Sequence, residues 1–109
     1  MPEMFKLVVT VPLTHSDVVR KALGDAGAGR VGNYGYCSFS VRGVGRFLPL
    51  KGASPFLGEV GQMEAVEEER IEVNVPGDML PDVIRAMKAV HPYEEVAYDI
   101  YKLERIPGL

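Results

Sequence analysis

Phe5, Leu7, Val9 and Val11 alternate with Lys6, Val8 and Thr10, a period of two that predicts a first strand ended by Pro12. Val18, Val19, Ala22, Leu23 and Ala26 then recur at helical spacing, so a helix is expected over residues 15–26, stopping at Gly27 or Gly29. Thr14 with Asp17 three positions on resembles a capping box with Asp in place of Glu. Period two returns over residues 33–42. Cys37, Phe39 and Val41 fall on one side, and Tyr34, Tyr36, Ser38 and Ser40 on the other. Gly43-Val44-Gly45 reads as a turn, with residues 46–50 folding back to extend a hairpin before Pro49 blunts it.

Residues 51–66 hold Gly52, Pro55, Gly58 and Gly61 with dispersed apolar residues, which predicts a long loop and the first place to look for function. Glu69, Ile71, Val73 and Val75 alternate as a further strand ended by Pro76-Gly77. Asp78 is placed to cap a second helix, Pro81 suits its first turn, and Leu80, Val83, Ile84 and Met87 form its apolar face. That helix should end at His91, because Pro92 disfavours helical geometry in the residue before it. Residues 96–103 alternate as the last strand, and residues 104–109 are expected to fray. Two strand-helix-strand units in this order predict an α+β, ferredoxin-like β-α-β-β-α-β sandwich. Its sheet is antiparallel, both helices lie on one face, and a long loop joins the hairpin to the third core strand.

Composition narrows the function classes. The chain has 109 residues, the size of one domain, and is read as a single domain over 1–109. A net charge of −3 with scattered basic residues provides no positive field for nucleic acid, so none is expected as a partner. The apolar run over residues 7–13 is broken by Thr10 and lacks a preceding basic segment, so neither a signal peptide nor a membrane span is expected, and a cytoplasmic location is. The one cysteine, Cys37, excludes an internal disulfide and a Cys-rich zinc site. Its strand partners Phe39 and Val41 suggest a thiol packed in the core rather than a nucleophile.

Three separated motifs carry a family resemblance: Gly32-Asn33-Tyr34 leading into Cys37-Ser38-Phe39-Ser40; Gly58-Glu59-Val60-Gly61; and the run from His91-Pro92-Tyr93-Glu94-Glu95 to Val96-Ala97-Tyr98-Asp99. Together they resemble the PII-like or CutA-like domain of the Nif-three-like (YqfO) family, here read as a free-standing short protein. The resemblance implies the fold and a kinship with PII and CutA proteins, which are trimers that bind effectors or metals near subunit junctions. No residue matches the dinuclear metal motif of the longer relatives' outer domains, so their hydrolase-like label does not transfer.

Chain direction then gathers distant residues at one end of the domain. With the first strand running up, His15, the long loop with Glu59, and the segment His91, Pro92, Tyr93, Glu94 meet at the top. His15, Glu59, His91, Tyr93 and Glu94 are therefore the candidate ligand-binding residues. His15 and His91 are the candidate metal ligands, since neutral imidazole with nearby carboxylate suits a divalent ion. For each histidine a structural role competes, and His91 is also placed to cap the second helix. Glu94 and Glu95 point opposite ways on an extended segment, so at most one serves a given site. Glu64 and the run Glu67, Glu68, Glu69 read as a solvated strand start, and Gly43 with Gly45 as a hairpin rather than a phosphate loop.

The expectation is thus a non-enzymatic oligomeric binding module, with a trimer favoured, sensing a small ligand or divalent metal or regulating a protein partner. Two competitors remain: a metal-dependent enzyme whose site forms between subunits, and a purely structural assembly adaptor.

Overall fold

The computed structural model describes residues 3–109. Strand β1 (Met4–Pro12) leads through a 3-10 turn (Leu13–His15) into helix α1 (Ser16–Asp25). Strands β2 (Phe39–Phe47) and β3 (Glu64–Pro76) follow. A second 3-10 turn (Gly77–Met79), helix α2 (Leu80–Val90) and strand β4 (Tyr98–Leu103) complete the chain. The sheet order is β2-β3-β1-β4 with every neighbour antiparallel, the arrangement expected from the element order.

Alternation assigns the two faces of the sheet. Leu7, Val9 and Val11 of β1 and Ile71, Val73 and Val75 of β3 point to the helix side, where they pack with Val19 and Leu23 of α1 and Val83 and Met87 of α2. Completely burying such a side chain contributes about 1.5–3 kcal/mol, so this layer is the main source of stability. On its far flank Arg20 of α1 bonds Glu69 of β3 and Ser40 of β2, fastening the helix to the sheet edge. No helix among the described residues is long and apolar enough to cross a membrane.

Both helix starts differ from expectation. The residue before α1 is His15 and the one before α2 is Met79; neither makes a side-chain cap bond, nor do Thr14 and Asp78 cap these helices. A 3-10 turn precedes each helix and redirects the chain there, taking the place of a side-chain cap. The C-terminal end of α2 falls where Pro92 requires it, with His91 in extended geometry.

The largest correction lies in β2. It runs from Phe39 to Phe47, so Gly43-Val44-Gly45 is strand rather than turn, paired with Glu68, Glu67 and Val66. Residues 33–38, expected as strand, form an irregular loop that closes Val31 onto Tyr34 and carries Tyr36 at φ 57°. The loop is held down at Gly29, whose N–H reaches Asn74 O while its own carbonyl accepts from Cys37 N–H. A Cβ at Gly29 would stand 2.5 Å from Cys37 O, so only glycine allows that approach.

The faces of β2 are consequently reversed. Phe39 and Val41 lie on the sheet side that no helix covers and are 65% and 45% exposed; they are not core. Cys37 precedes the strand and is half-buried, with Sγ 3.8 Å from Gly35 O. Tyr34 lies in the irregular loop and is exposed, while Tyr36 packs on α1, its ring against Gly24 and its hydroxyl donating to Asp25. Strand β3 begins five residues earlier than its alternation suggested, so the acidic run belongs to the sheet and the long loop spans residues 48–63.

Candidate functional site

Strands β1 and β2 both end at the top of the sheet, α2 climbs back to it, and the 48–63 loop closes over that end. Beneath the loop, on the uncovered side of the sheet, is a cavity of about 400 Å³. Its floor is Thr10 of β1, Gly45 and Phe47 of β2 and Glu68 of β3; residues 48–50 and 53–57 form a strap above it. Tyr93, Glu94 and Glu95, from the segment after α2, close the side. Glycine and proline punctuate the strap, and it is tied down where Ser54 N–H donates to Glu94 Oε1 at 2.8 Å and Gly61 N–H to Pro49 O at 2.9 Å.

Glu68 lies at the bottom, 8% exposed, and accepts a 2.9 Å hydrogen bond from the Tyr93 hydroxyl. Burial, and then the adjoining Glu68 carboxylate, push the Tyr93 phenol well above its ordinary range. It therefore stays a neutral donor at physiological pH and does not supply a phenolate. The ring of Tyr93 sits 5.9 Å from Phe47 and 6.4 Å from Phe56, which makes the wall aromatic.

His91 supports this wall from behind, with its ring 5.2 Å from that of Tyr93. Its Nδ1 accepts from Tyr93 N–H at 3.1 Å, which assigns the proton to Nε2, the donor to Thr10 O at 2.8 Å. Burial lowers the His91 pKa, against the smaller raising effects of the Thr10 bond and Glu68. Both nitrogens are thus occupied by backbone partners, so His91 has no lone pair to offer a metal in this arrangement.

Of the residues expected to meet at the top, Tyr93 and Glu94 line the cavity and His91 orients Tyr93. His15 stands outside it, with its ring edge-on to Phe56 at 5.5 Å and Nδ1 bonded to Thr14 Oγ1. Glu59 is exposed on the loop and does not line the cavity; its carbonyl accepts from Gln62 N–H. In this arrangement the hydrogen bonds above engage both nitrogens of His91 and the Nδ1 of His15. Among the described residues no group of three or more His, Cys, Asp or Glu is placed to hold a metal ion. The residues missed at the sequence level are Glu68, Gly45 and Phe47. Their only signal is register: extending β3 back to Glu64 puts Glu68 on the uncovered side, opposite Gly43 and diagonal to Gly45.

No protein-family model matches the chain. The chain is 54% identical over 103 residues to a Bacillus subtilis protein named GTP cyclohydrolase 1 type 2 homolog, covering 94% of this chain and 28% of that protein. A solved Bacillus cereus protein related to NIF3 superposes with a TM-score of 0.84 at 54% identity, over 95% of this chain and 26% of that one. This chain is homologous to a segment of the NIF3-related proteins. It spans about a quarter of the length of the curated relatives it matches. The periplasmic divalent cation tolerance protein CutA of Archaeoglobus fulgidus superposes with a TM-score of 0.69 at 19% identity, covering 96% of this chain and 88% of that one. The NIF3-related segment therefore has the CutA-like, ferredoxin-like fold.

Proposed function

We propose that this NIF3-related domain is a non-enzymatic PII/CutA-like binding module that holds a small ligand in the cavity beneath the 48–57 strap. One observation carries the reading: a largely apolar cavity with the buried carboxylate of Glu68 at its floor, hydrogen-bonded to Tyr93 of the side wall. Apolar walls with a few fixed polar groups are what a small-molecule site requires. Tyr93 is a neutral donor, and His91 is saturated by backbone bonds, so neither is poised as a nucleophile or general base. Of the residues expected from the sequence, Tyr93 and Glu94 contact the ligand in this reading, together with Glu68. His15 and Glu59 belong to the strap's surroundings.

The module works as a cytoplasmic homo-oligomer, a trimer in the favoured form, assembled through the uncovered sheet face. Phe39, Val41 and Tyr101 are exposed there and would be sheltered by a second subunit. Ligand occupancy would be passed to a protein partner through the strap.

Thermal shift against a panel of metal salts, nucleotides and small organic compounds tests the binding role, because a ligand of the native state raises the melting temperature. The expected result is a hit among organic compounds that Phe47→Ala weakens. A hit that instead requires His15 and His91 together would restore the metal reading. The absence of any hit, with a monomeric mass in light scattering, would leave only the assembly-adaptor or an unrelated role.

A further inference from the structure

The charge enclosed in the cavity narrows what it would hold, and this step rests on the cavity being a binding site. Glu68 is 8% exposed, and among the described residues its only hydrogen bond is the one from Tyr93. It belongs to none of the ion pairs formed by those residues. A carboxylate has about four acceptor positions, so one neutral phenol fills only part of its capacity; Glu68 Oε1 is not among the fully buried unpartnered atoms and so opens onto the cavity, where a cation can reach it.

The surroundings favour a particular solution. Phe47, Phe56 and Tyr93 pack against one another and line the same cavity as the carboxylate, and aromatic rings attract cations. Glu94 and Glu95 at the cavity wall are exposed and add negative potential. Arg46 also borders the cavity, but it is exposed and, by strand alternation, belongs to the opposite side of β2 from Gly45 and Phe47. It does not pair with Glu68. A divalent metal would need several ligands, and among the described residues no group of three or more His, Cys, Asp or Glu is placed to hold one beside this carboxylate.

We infer that the cavity takes an organic cation, a protonated amine on an apolar body, with its ammonium group on Glu68 and its body against Phe47, Phe56 and Tyr93. Its ammonium hydrogens supply the donors that Glu68 lacks, and the strap shields the pair from water.

Three probes of one shape and different charge test this on the full chain: phenethylammonium, phenethyl alcohol and phenylacetate, followed by amide chemical shifts. Phenethylammonium should shift Phe47, Phe56 and Tyr93 and bind at least about tenfold tighter than the alcohol, with phenylacetate weakest. Glu68→Gln keeps the shape and an acceptor for Tyr93, and should reduce ammonium binding to the level of the alcohol. Equal binding of alcohol and ammonium, or an unchanged preference in Glu68→Gln, overturns the cation inference and leaves the cavity reading standing. Should the variant not fold, the order of the three probes on the native protein decides alone. Absence of cavity shifts with all three at about 10 mM, where weak fragments bind, overturns both readings. Probe binding that disappears as protein concentration rises would mean that a second copy fills the cavity, which also overturns the inference.

Discussion

Glu68 occupies the space that a side chain at Gly45 would fill: a Cβ at position 45 would stand 2.0 Å from Glu68 Oε1 and 2.5 Å from Cδ. The two residues are on neighbouring antiparallel strands, and the missing side chain of one is the room for the carboxylate of the other. Gly45→Ala should therefore drive Glu68 off the Tyr93 hydroxyl. Stability should fall by about 2 kcal/mol, the usual cost of breaking a buried hydrogen bond to a charged group. Gly43→Ala is the control, since nothing lies within 4 Å of a Cβ there, and it should change stability by less than about 0.5 kcal/mol. Urea denaturation of the two variants measures the difference; equal effects would mean that the carboxylate moves aside freely.

Acid should weaken the fold through His91. Its folded-state pKa lies below the unfolded value because burial disfavours the imidazolium, so the unfolded chain binds the proton more readily. The stabilising effect of neutral His91 is full above the unfolded value of about 6.5 and is lost as pH falls from there through the lower folded value. Glu68, Tyr93 and His15 are its titratable neighbours, and protonation of Nδ1 would also break the bond from Tyr93 N–H. Melting temperature should drop as pH falls below about 6.5, and His91→Gln should flatten that slope while lowering the plateau. A slope unchanged in His91→Gln would assign the acid response to other groups.

Tyr36 adopts φ 57°, a left-handed conformation unfavourable for a side chain by about 1–2 kcal/mol, and its ring lies where a Cβ at Gly24 would be, 2.0 Å from Cδ1. Gly24→Ala would raise helix propensity in α1, yet it must displace this ring and its hydroxyl bond to Asp25. The single variant should be no more stable than the native protein. Adding Tyr36→Gly should then release the helix gain, so the double variant exceeds either expectation of simple addition. Strict additivity in thermal melts would show that the ring does not restrain Gly24.

The strap should exchange its amides faster than β1, because only a few of its backbone groups are hydrogen-bonded. Ser54 N–H is an exception, held by Glu94. Glu94→Ala should speed Ser54 exchange by about tenfold and leave Val9 unchanged, as measured by hydrogen exchange. Protection of Ser54 that survives the substitution would point to burial rather than this bond.

Much of the architecture follows from the sequence by itself, because periodicity is local. Leu7, Val9 and Val11 alternate, Val19 and Leu23 recur at helical spacing, and Pro92 stops α2, so these elements and their order are legible without any long-range contact. Chain direction likewise placed Tyr93 and Glu94 near the long loop. Only the tertiary structure decided the rest. Gly43 and Gly45 read as a turn until β3 is seen to pair with them, and Glu68 reads as one of several solvated acids until that register turns it into the cavity. His91 has the chemistry of a metal ligand in isolation, but Thr10 O, 81 residues away, and Tyr93 N–H take up both its nitrogens. Which face a strand residue presents, and which lone pairs remain free, depend on partners far along the chain, and that information is absent from any local pattern of residues.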